Sequence, residues 1–299
     1  MKQTNKTIGL LAMGIVVFIY GVSYIAREAI GTHMSTFAIL AIQMGIMAIV
    51  FTLYNLISKK SFRMQKKDIP WIIASGLFGT TFFHGATILS VNSLGATVSS
   101  LLYGFAAAFA LIIEILLFKR KKTILGIISI LMSFAGIYIL MDMNLQDLAS
   151  TNFKGYLLGL ASVVSWVIYT FLCDKISADY EKTVVLNYQA LVGVITTLPV
   201  VLLHPLSLDV LTKPVVIGNL LILGLFNSTI AYFLNMYAIK QIGVTLSNLF
   251  LNFLPVVTML LSIVLYHTLP TSKQILGGLL ILLSVFILDR DQKNIESTS

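Results

Sequence analysis

Ten apolar runs, each about as long as a membrane-spanning helix, constrain this chain more than any other feature. They cover residues 8–26, 36–57, 70–91, 95–118, 123–141, 155–173, 184–203, 215–238, 243–266 and 273–289. A helix needs roughly 20 apolar residues to cross the hydrocarbon core. A lipid-exposed backbone must be helical or a closed barrel, and these runs lack the alternation of barrel strands. The sequence therefore predicts an all-α integral membrane protein with ten transmembrane helices.

The composition agrees with a chain whose main solvent is lipid. Hydrophobic residues make up 58% of the sequence and charged residues 11%, whereas soluble domains carry roughly 25% charged residues. The net charge of +8 sits in short clusters between the apolar runs, so nucleic acid is not an expected partner. The single cysteine, Cys173, excludes an internal disulfide.

The distribution of basic residues predicts the orientation. With both termini in the cytoplasm, 16 of the 20 lysines and arginines fall in the inner segments, as the positive-inside rule requires. The outer segments hold only Arg27, Lys154, Lys213 and Lys273. Both termini are therefore expected inside, which an even number of spans allows. The short loops, with no long targeting segment, suit a prokaryotic cytoplasmic membrane and a multi-pass cell-membrane protein.

The chain also repeats itself. The segment 77–102 aligns without gaps to 225–250, so that Gly95-Ala-Thr-Val-Ser matches Gly243-Val-Thr-Leu-Ser. Ser133 matches Ser284, and Gln43 matches Gln189. The predicted repeats are residues 1–146 and 147–299, with five helices each. An odd number of helices inverts the second copy, and inverted repeats are an architecture of secondary transporters with a site near the midplane.

These residues resemble a known family. Tyr20-Gly-Val-Ser-Tyr24 and Ser165-Trp-Val-Ile-Tyr169, the helix starts at Gly95 and Gly243, and Pro255 are similar to the paired EamA-like repeats of the drug/metabolite transporter superfamily. The resemblance covers nearly the whole chain. It implies a ten-helix transporter of two inverted repeats and an efflux function, but it leaves the substrate open, because that superfamily handles many small molecules.

Polar and aromatic residues inside the predicted spans indicate a cavity, because uncompensated polar groups in hydrocarbon face the bundle interior. Eight residues are predicted to bind substrate: Tyr20, His84, Tyr103, Trp166, Tyr169, Asn227, Tyr232 and Asn252. Aromatic walls with a few amide groups suit small-molecule sites. Arg27 is expected at the outer mouth of the first span, and no arginine is expected deep in the cavity. Helix–helix hydrogen bonding is the alternative role for the asparagines.

Three further polar positions have two interpretations each. Gln43 and Gln189 are either structural partners between helices or part of the site. Glu114, in the fourth span, either reaches the inner interface or has a functional role. His84 and Glu114 are the two ionisable residues well within a predicted span, and histidine as a residue type titrates near neutral pH, so proton coupling through His84 stays open.

The predicted function is a secondary transporter, an exporter by the resemblance, that moves a small neutral, zwitterionic or aromatic metabolite across the cytoplasmic membrane by alternating access. The alternatives are a substrate-specific channel and a membrane-embedded enzyme. The sequence contains no nucleotide-binding loop and no His-Glu-x-x-His or Gly-x-Ser-x-Gly motif. No enzymatic activity, cofactor or metal is therefore predicted. The expected partners are a small-molecule substrate and the lipid bilayer, and the oligomeric state is left open.

Overall fold

The described part of the chain consists of helices joined by loops and turns. The computed structural model describes residues 2–117, 123–141, 151–173, 175–176, 180–203, 208–242 and 250–298, and within these ranges there is no strand. The α-helices are α1 (Lys2–Gly31), α2 (Thr36–Ile57), α3 (Ile69–Gly76), α4 (Phe83–Leu102), α5 (Ala106–Leu117), α6 (Ile124–Met141), α7 (Thr151–Cys173), α8 (Lys182–Leu203), α9 (Pro214–Leu221), α10 (Tyr232–Ile242), α11 (Leu254–Tyr266) and α12 (Ser272–Thr298).

Six of the described helical segments are long and apolar enough to cross a membrane, and three shorter apolar helices accompany them. The longest of the six, Ile69–Ile113, has 45 residues, about twice the length that one crossing needs. It breaks at Gly95, whose φ of 79° and ψ of 167° are accessible essentially to glycine alone. The break lies at the position where the sequence predicts a new helix to start.

The surface and the interior are arranged as a bilayer requires. Large apolar side chains such as Leu131, Tyr138 and Ile195 remain exposed. Polar side chains such as Gln43 and Thr80 are buried, because a polar group facing hydrocarbon would lose its hydrogen bonds. The described segments therefore form a multi-pass helical membrane protein.

Two π-helical segments interrupt the bundle at matching positions. Leu77–Phe82 joins α3 to α4, and Ile222–Ala231 joins α9 to α10. The repeat alignment pairs residues 77–82 with 225–230, so each half carries the same rare element at the same place. π-helical turns are frequent at functional sites, and these two position the residues described below.

Helices of the two halves pair with one another. α2 packs on α8, α6 on α12, α4 on α7, and α1 on α10. Ser133 and Ser284, which the repeat alignment matches, are hydrogen-bonded to each other at 2.6 Å. A Cβ on Gly136 would lie 2.8 Å from the carbonyl oxygen of Gly277, so the lack of a side chain at Gly136 lets the α6 and α12 backbones approach closely. The boundaries of the predicted repeats, 1–146 and 147–299, stay a prediction.

Candidate functional site

An aromatic cluster centred on Trp166 lies where the two halves meet. The Trp166 ring lies 4.9–6.4 Å, between ring centroids, from five rings: Tyr20, Phe83, Tyr103, Tyr169 and Tyr232. Several pairs are edge-to-face, an arrangement that aromatic quadrupoles favour. A Cβ on Gly79 would collide with the Tyr169 ring, so the glycine in the first π-helix lets this ring pack against the backbone.

A small cavity of about 10 Å³ adjoins this cluster, with room for about one water molecule. Its walls are Tyr20, Ser23, Tyr24, Arg27, Phe83, His84, Tyr103, Asn227, Tyr232 and Leu254. Tyr20 lies eleven residues before Gly31, and His84 lies eleven before Gly95. At 1.5 Å per residue both are about 16 Å from those helix ends, which is roughly half the thickness of a hydrocarbon core.

His84 connects the two halves through a chain of hydrogen bonds. Arg27 Nη2 lies 3.0 Å from His84 Nδ1, and Tyr232 Oη lies 3.1 Å from His84 Nε2. A guanidinium only donates, so Nδ1 accepts and the imidazole proton is on Nε2. That proton is donated to Tyr232, whose hydroxyl donates to the carbonyl oxygen of Gly79 at 3.1 Å. His84 is neutral in this arrangement.

Seven of the eight predicted site residues come together. Tyr20, His84, Tyr103, Asn227 and Tyr232 line the cavity, and Trp166 and Tyr169 form the ring wall beside it. Asn252 is buried just before α11 and does not line this cavity. The sequence could not position Asn252, because it lies in a non-helical turn that helical periodicity does not describe.

Arg27 is the residue that the sequence analysis misplaced. It is not at the mouth of the first span: its side chain is 2% exposed and lines the cavity. The expectation that no arginine reaches the cavity is therefore wrong. Because α1 continues to Gly31, Arg27 lies a full turn inside the helix, on the face of Tyr20 and Ser23. The seven-residue spacing from Tyr20 was the signal for this placement.

The paired glutamines act as partners between the halves. Gln43 Nε2 donates to Ser228 Oγ at 2.7 Å, and Gln189 Nε2 donates to Ser75 Oγ at 2.8 Å. Each bond crosses from one predicted repeat to the other, which agrees with the structural interpretation. The side chain of Glu114, and Gly243, lie outside the described residues.

The two ends of the helix bundle differ. The end that carries loop 58–68 and residues 180–182, here the Lys60 end, is tied across the halves. Tyr180 Oη donates to Asp68 Oδ2 at 2.7 Å and accepts from the Gln65 backbone N–H at 3.0 Å. Lys60 Nζ forms an ion pair with Glu181 Oε1 at 2.7 Å.

More hydrogen bonds lie just below this loop. Thr183 Oγ1 donates to Asn55 Oδ1 at 2.6 Å, and Asn55 Nδ2 donates back to the Thr183 carbonyl at 3.2 Å. Tyr188 Oη donates to the carbonyl oxygen of Phe62 at 2.8 Å. The described loop and the start of α8 thus join the two halves at the Lys60 end through side chains from both.

The opposite end, which carries Gly31, Gly95 and residues 267–271, is here called the Glu28 end. It contains a cavity of about 420 Å³ between α1, the Gly95 break and the α11–α12 connection. Glu28 lines it, and so do Thr97 and Ser262, whose hydroxyls are hydrogen-bonded at 2.9 Å. A cavity of this size falls in the range of small-molecule pockets.

A multi-pass helical membrane protein with a polar and aromatic cavity between two matched halves has the features of the transporter class. Comparison with known proteins agrees. The EamA-like transporter family matches residues 7–142 and 153–289. The chain belongs to the EamA-like transporter family.

Relatives and a solved structure extend along the whole chain. An "Uncharacterized transporter" of Archaeoglobus fulgidus is 23% identical over 281 residues, covering 94% of this chain and 98% of that protein. The "Uncharacterized transporter YyaM" of Bacillus subtilis is 21% identical over 290 residues, covering 95% and 93%. A crystal structure matches with a TM-score of 0.68 at 17% identity, covering 99% of this chain and 100% of that one; it shows that the fold is shared.

Proposed function

We propose that this chain is a secondary transporter that exports a small neutral, zwitterionic or aromatic metabolite across the cytoplasmic membrane by alternating access. The observation that carries the proposal is the central cavity, which side chains of both halves enclose beside the matched π-helices. A site at the interface of two repeats becomes accessible from one side or the other when the halves rock against each other.

The proposed topology has ten spans with both termini in the cytoplasm. The 45-residue segment supplies two spans by its break at Gly95, and the other five long and three short apolar helices supply eight. The basic loop that holds Lys59, Lys60, Arg63, Lys66 and Lys67 then faces inward, as the positive-inside rule favours. The Lys60 end is therefore the cytoplasmic end, and the Glu28 end opens outward.

The tied end and the open end support alternating access over a channel. A channel needs a continuous path, whereas a carrier closes one end while the other is open. Hydrogen bonds close the Lys60 end, and the cavity of about 420 Å³ lies at the Glu28 end. We assign this arrangement to an outward-facing carrier whose central site has room for only about one water molecule.

Counterflow in proteoliposomes tests the proposal. Vesicles are preloaded with pools of neutral amino acids, amines, nucleosides or organic acids, and labelled compound is added outside, with an imposed pH gradient as a second condition. A carrier gives transient accumulation with one pool. We expect Trp166→Ala to abolish it, because Trp166 is the centre of the ring cluster.

The chain supplies a matched control, since it has two tryptophans. Trp71 lies on the surface of the protein, where its side chain is 40% exposed, and Trp71→Ala should retain counterflow. A linear, non-saturating leak would identify a channel instead. Equal flux in the two tryptophan variants would show that the substrate does not pass through the central cavity.

A further inference from the structure

Arg27 is a buried cation without a buried anion beside it. Its guanidinium donates to Ser23 Oγ at 2.6 Å and to His84 Nδ1 at 3.0 Å, and it lies 5.5 Å from the centre of the Tyr24 ring. Among the described residues no carboxylate lies within ion-pair distance of it. A buried charge that lacks a counter-ion is costly, so the missing anion needs an explanation.

The nearest acid in sequence does not supply this anion. Glu28 follows Arg27 directly, but its carboxylate faces the Gly95 break, where Oε1 would lie 3.1 Å from a Cβ on Gly95. The Glu28 carboxylate lies beside the Ala96 backbone there. His84 is neutral, as its two hydrogen-bonding partners require. The charge of Arg27 is therefore balanced neither by the helix that carries it nor by its hydrogen-bonding partner.

Three hydrogen-bonding groups around the same cavity are also unsatisfied. Arg27 Nε, Tyr20 Oη and Tyr103 Oη are buried and have no partner among the described residues, and all three side chains line the cavity. Buried polar groups are nearly always hydrogen-bonded in folded proteins. An N–H and two phenolic O–H groups beside one positive charge can donate hydrogen bonds to the oxygen atoms of a bound anion.

We propose that the cavity binds a small monocarboxylate, with its carboxylate paired to Arg27 and hydrogen-bonded by Tyr20 and Tyr103, and its apolar body against Phe83 and Trp166. The inference rests on the proposed transport function and replaces its broad substrate class with compounds that carry one carboxylate, either zwitterions or simple acids. A carboxylate has two oxygens that a guanidinium and hydroxyl donors satisfy together. Arg27 is the one lysine or arginine among the lining residues, so a single negative charge is matched and a dianion is not.

The neutral His84 keeps the guanidinium available for this role. Because Nδ1 accepts from Arg27 Nη2, the histidine orients the guanidinium without neutralising it. The cavity has a volume of only about 10 Å³ in this structure. A ligand therefore fits only when the halves move apart, as alternating access requires.

Trp166 provides a direct binding assay. In the Trp71→Phe variant Trp166 is the only tryptophan, so its fluorescence reports on the cavity. The detergent-purified full chain is titrated with cyclohexanecarboxylate and with cyclohexanecarboxamide, which share a body and differ in charge. Leucine and leucinamide repeat the comparison and distinguish a zwitterionic source of the carboxylate from a simple acid. We expect a saturable fluorescence change with cyclohexanecarboxylate, leucine or both, and none with either amide.

Variants of the arginine sharpen the test. Losing a charge-assisted pair should weaken carboxylate binding about ten- to hundredfold in Arg27→Gln. Arg27→Lys, which keeps the charge but not the fork of donors, should bind with intermediate affinity. Arg63→Gln removes the same charge from an exposed loop residue and should bind as the parent does. Thermal unfolding curves verify that each variant is folded.

Several outcomes overturn the proposal. Equal binding of an acid and its amide, unchanged binding in a folded Arg27→Gln, or no saturable response to either carboxylate would each exclude it. The comparison of acid and amide needs no change at Arg27, so it stays decisive if Arg27→Gln does not fold. Counterflow of an uncharged substrate would reject the carboxylate while keeping the transporter. Carboxylate binding without counterflow would reject the transporter while keeping the carboxylate site.

Discussion

The Lys60 end and the Glu28 end of the same helices differ in structure: one has a hydrogen-bonded loop and the other has a large cavity. At the Lys60 end, the described loop 58–68 lies over the start of α8 and bonds to it through Asp68, Tyr180 and Tyr188. At the Glu28 end, the described residues leave a cavity of about 420 Å³, crossed by the Thr97–Ser262 hydrogen bond. The helices are matched between the halves, so the asymmetry resides in the connections and their side chains.

This difference indicates how a nearly symmetric bundle holds one state. In the proposed transporter, inverted repeats alone would give the inward-facing and outward-facing states similar free energies. Each hydrogen bond at one end contributes about 0.5–1.5 kcal/mol, so under this proposal a few bonds in the loop are enough to decide which end is closed. The comparison leads to four predictions, in order of decreasing effect.

Holding the Lys60 end shut should abolish transport. In a Cys173→Ala background, Lys60→Cys and Glu181→Cys supply the only two thiols, and a bifunctional thiosulfonate joins them. An alternating-access carrier that cannot open one end cannot complete its cycle, so counterflow should fall to background and return on reduction. The same double variant without cross-linker is the control. Full counterflow in cross-linked protein would mean that this end does not open during transport.

The two ends should also differ in their access to water. Ala29→Cys lies on the wall of the larger cavity, and Thr183→Cys lies buried under the loop. In the Cys173→Ala background we expect a polar maleimide to label the first thiol more than about tenfold faster, because 1.4 kcal/mol in favour of the closed end gives a factor of ten. Labelling in denaturant checks that both thiols are intrinsically reactive. Equal rates in folded protein would contradict the asymmetry.

Removing one loop hydroxyl should reduce this difference. Tyr180→Phe loses a bond to the Asp68 carboxylate, and bonds to charged groups contribute about 1.5–3 kcal/mol. Maleimide labelling of Thr183→Cys should therefore become about tenfold faster. Tyr188→Phe is the matched control, because its hydroxyl donates to a neutral carbonyl at a similar distance and should accelerate labelling less. A larger effect in Tyr188→Phe would place the main closure below the loop.

Much of this architecture was predictable from the sequence, because apolar length and repetition are long-range patterns. The break at Gly95, the Ser133–Ser284 pair and the glutamine partners occur where the repeat alignment pairs residues. Helical spacing also brought together seven of the eight predicted site residues. The ten-span count and the orientation stay predictions from residue patterns.

What the sequence did not provide depends on tertiary contacts between distant residues. The exact end of α1 decides whether Arg27 faces water or the cavity, and helix ends are poorly defined by periodicity. The bonds of the Lys60 end join residues more than 100 positions apart in the sequence, and they involve loop residues. The spacing of apolar residues that identifies helices and strands does not describe loops. The π-helical turns have no sequence signature of their own, although their repetition in both halves was implicit in the alignment.

The smallest effect should come from the ion pair at the Lys60 end. Lys60 and Glu181 side chains are 31% and 53% exposed, and exposed pairs contribute little. Lys60→Met should therefore change the labelling rate of Thr183→Cys less than about fivefold.

The hydrogen bond to Glu181 raises the pKa of Lys60 above its ordinary value. The contribution of the pair is accordingly complete below that ordinary pKa and is lost as the pH rises through the raised one. Between pH 6 and 8, Lys60→Met and its parent should show the same pH dependence, and added salt should reduce the difference between them. A large, salt-independent effect of Lys60→Met would show that the charge, rather than the Tyr180 bonds, closes this end.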